Sequence, residues 1–181
     1  QPPPRKDGLR LEMKPGFKQT EAGVIPEDWI VAPIGELANV TTGSKNTQDA
    51  VADGQYPFFV RSQTVERINT FSFEGEAVLT AGDGVGTGKV FHYINGKIDV
   101  HQRVYRISNF DRRLNGYYFF RYFSLNFYNR IMQMTAKSSV DSVRRPMITG
   151  MLIPLLPTLA EQEAIAEALG DADALIESLE R

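Results

Sequence analysis

Apolar and polar residues alternate along the front of the chain and then change period. Short extended runs stand at Ile30-Val31, residues 39–42, Tyr56-Pro57-Phe58-Phe59-Val60, Ala77-Val78-Leu79-Thr80, residues 89–94 and Val104-Tyr105-Arg106-Ile107. They are rich in β-branched and aromatic residues and are separated by turn formers, the pattern of strands. Residues 24–29, with Pro26 among them, are predicted as a turn, and residues 34–37 as a single helical turn. Asn95-Gly96 predicts a tight hairpin, with Lys97-Ile98-Asp99-Val100 as the start of the returning strand. Beyond Leu114 the period becomes helical. Tyr118, Tyr122, Leu125, Ile131 and Met134 predict one or two amphipathic helices with Arg121 and Arg130 outward. Met151-Leu152-Ile153 is read as a last short strand. Strands first, helices later and few long crossovers predict an α+β fold.

The stretch from Pro154 to Gln162 divides this pattern from the last segment of the chain. Its two prolines, Pro154 and Pro157, cannot continue a helix. Thr158 stands three residues before Glu161, the spacing of a capping box, in which each residue's side chain accepts from the other's backbone N–H. Ile165, Leu169, Ala172, Ile176 and Leu179 then recur at steps of four and three, a heptad seam still running where the sequence stops. The expected organisation is a loose lead-in over residues 1–16, a compact domain over residues 17–157 and a helix from residue 158 to residue 181.

Composition narrows the class. With 42% hydrophobic and 10% aromatic residues the chain is globular rather than disordered. It has no cysteine, which excludes disulfides and thiolate metal sites. No apolar run approaches the roughly 18 residues of a membrane span, so a soluble intracellular domain is expected. The net charge of −2 conceals a segregation. Residues 41–157 carry fourteen basic and nine acidic residues, whereas residues 158–181 carry one basic and seven acidic. A basic body with an acidic helical tail suggests two different partners, one of them polyanionic, and on charge alone the alternative is an ordinary solvated surface.

The candidate chemistry is that of binding. Residues 82–89 (Gly-Asp-Gly-Val-Gly-Thr-Gly-Lys) miss a phosphate loop, which would need glycine at Asp83 and Ser or Thr at Val90. They miss the dinucleotide fingerprint too, because neither Gly82 nor Gly84 has a glycine five residues on. A glycine-rich loop between strands instead allows close backbone approach to a ligand such as a DNA backbone, with Thr87 and Lys89 as donors. His92 and His101 lack the carboxylate pattern of a metal site or an acid–base dyad, and no serine lies in a nucleophile elbow. The donor-rich run Lys137-Ser138-Ser139, with Arg144 and Arg145 after it, suits phosphates and guanine edges. Lys45, Arg61 and Arg103 add cations, and Gln102 and Asn46 have the amides that read adenine. The aromatics between Tyr117 and Tyr128 fall at helical spacing and are expected in the core rather than as a base-stacking platform.

These motifs together resemble the DNA-specificity subunit of type I restriction-modification enzymes. Residues 153–166 (IPLLPTLAEQEAIA) resemble the family's junction between recognition domain and spacer, and Asp171-Ala172-Asp173-Ala174-Leu175-Ile176 resembles the start of its helical spacer. Residues 18–29 resemble the lead-in to its first target recognition domain. The resemblance implies a non-catalytic, cofactor-free bacterial or archaeal cytoplasmic protein that recognises double-stranded DNA, each recognition domain reading half of a bipartite site. It implies modification and restriction subunits as partners, and the methyl donor, ATP and Mg²⁺ belong to them. It also implies pairing of the helix with a second spacer helix or a second copy of the chain. The unfinished heptads favour a chain cut from a longer one. DNA contacts are then expected from Lys45, Arg61, Thr87, Lys89, Gln102, Arg103, Lys137, Ser138, Ser139, Arg144 and Arg145. The rival readings are an assembly module that does not read DNA and a fragment of a DNA methyltransferase, which would need a cofactor loop and a carboxylate cluster that the sequence lacks.

Overall fold

A computed structural model describes residues 14–135 and 141–181. The chain is an α+β fold built on a six-stranded sheet in the order β4-β9-β7-β8-β5-β6. These strands are β4 (Asn39–Thr42), β5 (Tyr56–Phe59), β6 (Glu66–Ile68), β7 (Phe73–Ala81), β8 (Phe91–Val100) and β9 (Val104–Ser108). All neighbours pair antiparallel except β5 and β8. In β7, residues Ala77, Val78 and Leu79 are all fully buried, which explains an apolar run without alternation. Val78 joins the core beneath the helices, while Leu79 packs on the opposite face with Phe59, Ile98, Val100 and Val104. A strand covered on both faces has no reason to alternate.

The helical layer is α2 (Gly116–Met134), started by Asn115, whose side chain accepts from Tyr118 N–H at 2.8 Å. Phe119, Phe123 and Phe127 recur every four residues and stack, and Phe91 of β8 meets the Phe123 ring edge-on at 5.5 Å. Tyr118, Phe119, Phe123 and Phe127 are core, as their spacing predicts, and Tyr117, Phe120 and Tyr122 pack partly buried against them, whereas Tyr128 is exposed. Beside them lie α1 (Ile34–Leu37), α3 (Arg145–Thr149) and β10 (Leu152–Leu155), the last paired with β3 (Ile30–Pro33). The end of the domain is thereby tied to its front.

Helix α4 (Leu159–Leu179) begins where the sequence predicts. Thr158 Oγ1 accepts from Glu161 N–H at 3.2 Å, and the Glu161 carboxylate accepts from Thr158 N–H at 3.1 Å. Gln162 is fully buried one residue later. Its Oε1 accepts from Asn115 N–H at 2.8 Å, and its Nε2 donates to the Arg113 carbonyl at 2.7 Å. Ala166 is buried one turn on, and Asp173 pairs with Arg121 of α2. The heptad seam faces elsewhere: Ala172 is exposed, Leu169 is half-buried, and Ile165, Ile176 and Leu179 stand 36%, 54% and 78% exposed.

Several local expectations give way. Asn95-Gly96 is no hairpin turn but lies within β8, where Gly96 sits opposite Gly75 of β7. The glycine-rich loop makes the turn instead, so that Ile98 and Val100 remain on the long strand and reach the core beside Leu79. Residues 24–26 are not a turn but part of β2 (Gly23–Pro26), paired with β1 (Phe17–Thr20). On α2, Leu125 and Met134 are exposed, because the buried stripe runs through the phenylalanines to Ile131. Arg121 does not point outward: its side chain is only 12% exposed and bonds the Leu169 carbonyl besides Asp173. Arg130 likewise turns in, its Nε donating to the Met147 carbonyl at 3.0 Å.

Candidate nucleic-acid interface

One end of the sheet collects five connections: those after β4 and β5, the β7–β8 loop, the β8–β9 turn and the segment before α3. Backbone bonds lace them together. Ser44 and Lys45 N–H groups donate to the Val100 carbonyl, and Gln102 N–H donates to the Lys45 carbonyl at 2.9 Å. Gly82 N–H donates to the Arg103 carbonyl at 2.8 Å, and Val143 N–H donates to the Gly82 carbonyl at 2.7 Å. Tyr105 closes the group by donating its hydroxyl to the Val143 carbonyl at 3.0 Å. Residues far apart in sequence thus share one rim.

At its centre is Asp83. Arg61 Nη1 lies 2.7 Å from one carboxylate oxygen and Arg103 Nη1 lies 3.2 Å from the other. The Asp83 side chain is 22% exposed, against 47% and 63% for the two arginines. A cleft of about 490 Å³ opens on one side, lined by Thr42, Gln102, Arg103, Tyr105 and Ser142 among others. Another of about 290 Å³ opens beside Thr47, Arg61, Ser62 and Val85, and Asp83 lines both. His101 lies beneath this group, nearly buried, and its Nδ1 accepts from Arg103 N–H at 3.0 Å. Burial, and then the Arg61 charge, hold its pKa below the ordinary imidazole value, so the ring is neutral and an acceptor. His92 is also shifted down by burial.

The structure therefore brings together Arg61, Gln102, Arg103 and Lys45 from the expected set. Asn46 accepts from the Gln102 amide, so these two read as one polar unit rather than two independent readers. Arg144 and Arg145 are exposed at the start of α3, next to Val143. Lys137, Ser138 and Ser139 lie outside the described residues. Two expectations change. Thr87 is buried and donates its hydroxyl to the Gly84 carbonyl at 2.7 Å, closing the loop on itself rather than offering a donor outward. Lys89 is exposed but lies over the Tyr128 ring at 5.6 Å, on the α2 side of the loop.

Sequence reasoning missed Asp83 and Val85. The signal for Asp83 was an acid set between Gly82 and Gly84 in a basic block, a place where a solvated charge is the default reading. Val85 is fully exposed at the loop tip, following Gly84 at φ +82°. Among the described residues no group of His, Cys, Asp and Glu could hold a metal ion, and no helix is long and apolar enough to cross a membrane.

Comparison with known proteins gives a consistent result. The family model for the type I restriction modification DNA specificity domain matches residues 26–181. The type I restriction enzyme EcoDI specificity subunit of Escherichia coli is 33% identical over 157 residues, covering 87% of this chain and 34% of that protein. The MjaVIII specificity subunit of Methanocaldococcus jannaschii is 25% identical, over 96% of this chain and 42% of that protein. The crystal structure of a type I restriction-modification S subunit from M. genitalium superposes with a TM-score of 0.66 at 19% identity, over 83% of this chain and 40% of that one. The chain thus spans less than half the length of the curated relatives it matches.

Proposed function

Because the chain belongs to the type I restriction modification DNA specificity family, we propose that the rim around Asp83 reads duplex DNA, and that it reads one half of a bipartite target. On this reading residues 17–157 are a target recognition domain. Residues 158–181 begin a spacer whose exposed seam pairs with another helix. The chain performs no catalysis of its own and directs modification and restriction subunits to DNA.

The observation that carries this reading is the convergence of Lys45, Arg61, Gln102 and Arg103 on one sheet end, with Arg144 and Arg145 beside them. Guanidinium forks and amides are the groups that bond base edges bidentately, and the lysine suits phosphate. The acidic α4, with seven acids between residues 158 and 181, is unsuited to DNA and suits a protein partner.

The test is duplex DNA binding across a range of salt. Affinity should fall linearly on logarithmic axes, by a slope of about 0.9 for each phosphate neutralised. Lys45→Ala should lower that slope by about one and weaken all sequences alike. Salt-independent binding, or none, by the chain assembled with its partner subunits sinks the reading.

A further inference from the structure

Asp83 is out of place on a surface that only attracts phosphate. A carboxylate there weakens binding to every DNA sequence by charge alone. Yet it occupies the centre of the rim, less exposed than either cation it contacts, and it lines both clefts. Its position is fixed by backbone on both sides. Gly82 is bonded to Arg103 and Val143, Gly84 N–H reaches the Asp141 carbonyl at 3.3 Å, and Asp83 itself bridges to Ser142.

The guanidinium groups show what this fixed carboxylate does. Arg61 and Arg103 are long, exposed side chains that lose rotamer freedom when ordered. Each bonds Asp83 through a single Nη1, which leaves its other N–H donors available on its own side of the carboxylate. Arg103 then lines the cleft shared with Gln102, and Arg61 the cleft shared with Ser62 and Val85. Such pre-ordering matters for forks that must match base edges, and much less for point contacts with phosphate.

We propose that Asp83 is a specificity-determining positioning residue, whose two oxygens hold Arg61 and Arg103 apart and aim each at a base edge. The inference rests on the DNA-reading role proposed above. Asp83 acts through the arginines and needs no contact with DNA.

The experiment selects preferred duplexes from a random-sequence pool with the chain assembled with its partner subunits, then measures affinity for a selected and a scrambled duplex. Asp83→Asn should bind the scrambled duplex at least as tightly as wild type, because a negative charge is gone. Its preference for the selected duplex should fall about tenfold, the order of one lost bidentate contact. Asp83→Glu keeps the charge but moves the oxygens, and should lose preference without gaining scrambled-duplex affinity. In an Arg61→Ala/Arg103→Ala background, Asp83→Asn should change the preference no further. Melting curves identify a variant that fails to fold, and the glutamate variant then carries the test. If both Asp83 variants keep the wild-type preference while the arginine variants lose affinity, the inference fails and the DNA-reading role stands. If the wild-type chain enriches no sequence, or the arginine variants bind as wild type, the DNA-reading role fails and takes the inference with it.

Discussion

Two of the aspartate–arginine groupings among the described residues have opposite burial. Two thirds of the way along α4, Arg121 is the inner member, 12% exposed, while Asp173 is 54% exposed. At the sheet end Asp83 is the inner member, 22% exposed, while Arg61 and Arg103 stand 47% and 63% exposed. An arginine inside, also bonded to the Leu169 carbonyl, is a fastening. A carboxylate inside, with arginines projecting from it, is a mount. The same ion pair therefore holds the fold in one place and, in the role proposed above, presents donors in the other.

Substitutions can separate these roles. The largest effect is expected at Gln162, which shares the α4 docking face with Asp173. Gln162→Leu leaves Asn115 N–H and the Arg113 carbonyl without their partner and should cost about 3 kcal/mol of stability by chemical denaturation, with sequence preference on DNA unchanged. Arg103→Ala should do the reverse, costing about 2 kcal/mol of binding to the selected duplex while moving stability by less than about 0.5 kcal/mol. Asp173→Asn should cost about 1 kcal/mol of stability, since the pair is half-exposed, and nothing in DNA binding.

The smallest expected effect is a pH dependence. Above about 6.5, the ordinary imidazole pKa, His101 is neutral in folded and unfolded chains alike. Below it the unfolded chain takes up a proton that the folded site disfavours, so stability should decline as the pH drops through that range. His101→Gln should flatten this part of the profile relative to wild type. An unchanged slope would show that the ring beneath the arginines is indifferent to its charge.

The helix α4 was legible because its signals are local. The capping box needs only Thr158 and Glu161, and the heptad seam needs only period. The rim was legible only as a roster of cations. Nothing in the neighbourhood of Arg61 announces Asp83, which stands 22 residues away along the chain. The misread Asn95-Gly96 has the same origin. That dipeptide favours a tight turn locally, but pairing along the whole of β7 keeps the chain extended through it. Thr87, too, fits phosphate binding by type, and only the closure of its own loop shows the hydroxyl already engaged. Local chemistry names the elements, and long-range pairing decides which side chains face outward.

The Gln162 fastening has a mechanical consequence. Helix α4 runs for 21 residues, about 31 Å at 1.5 Å per residue, and is fastened at its root by the buried Gln162 amide and the capping box, and about 16 Å further along by Arg121, which bonds the Leu169 carbonyl and Asp173. Two fastenings suppress the angular play that the root alone would leave, where a tilt of about 10° would displace the far tip by about 5 Å. That exceeds the rise of roughly 3.4 Å between successive bases of a DNA strand. Gln162 and Arg121 together therefore set how accurately anything mounted on the far end of α4 is spaced from the sheet end.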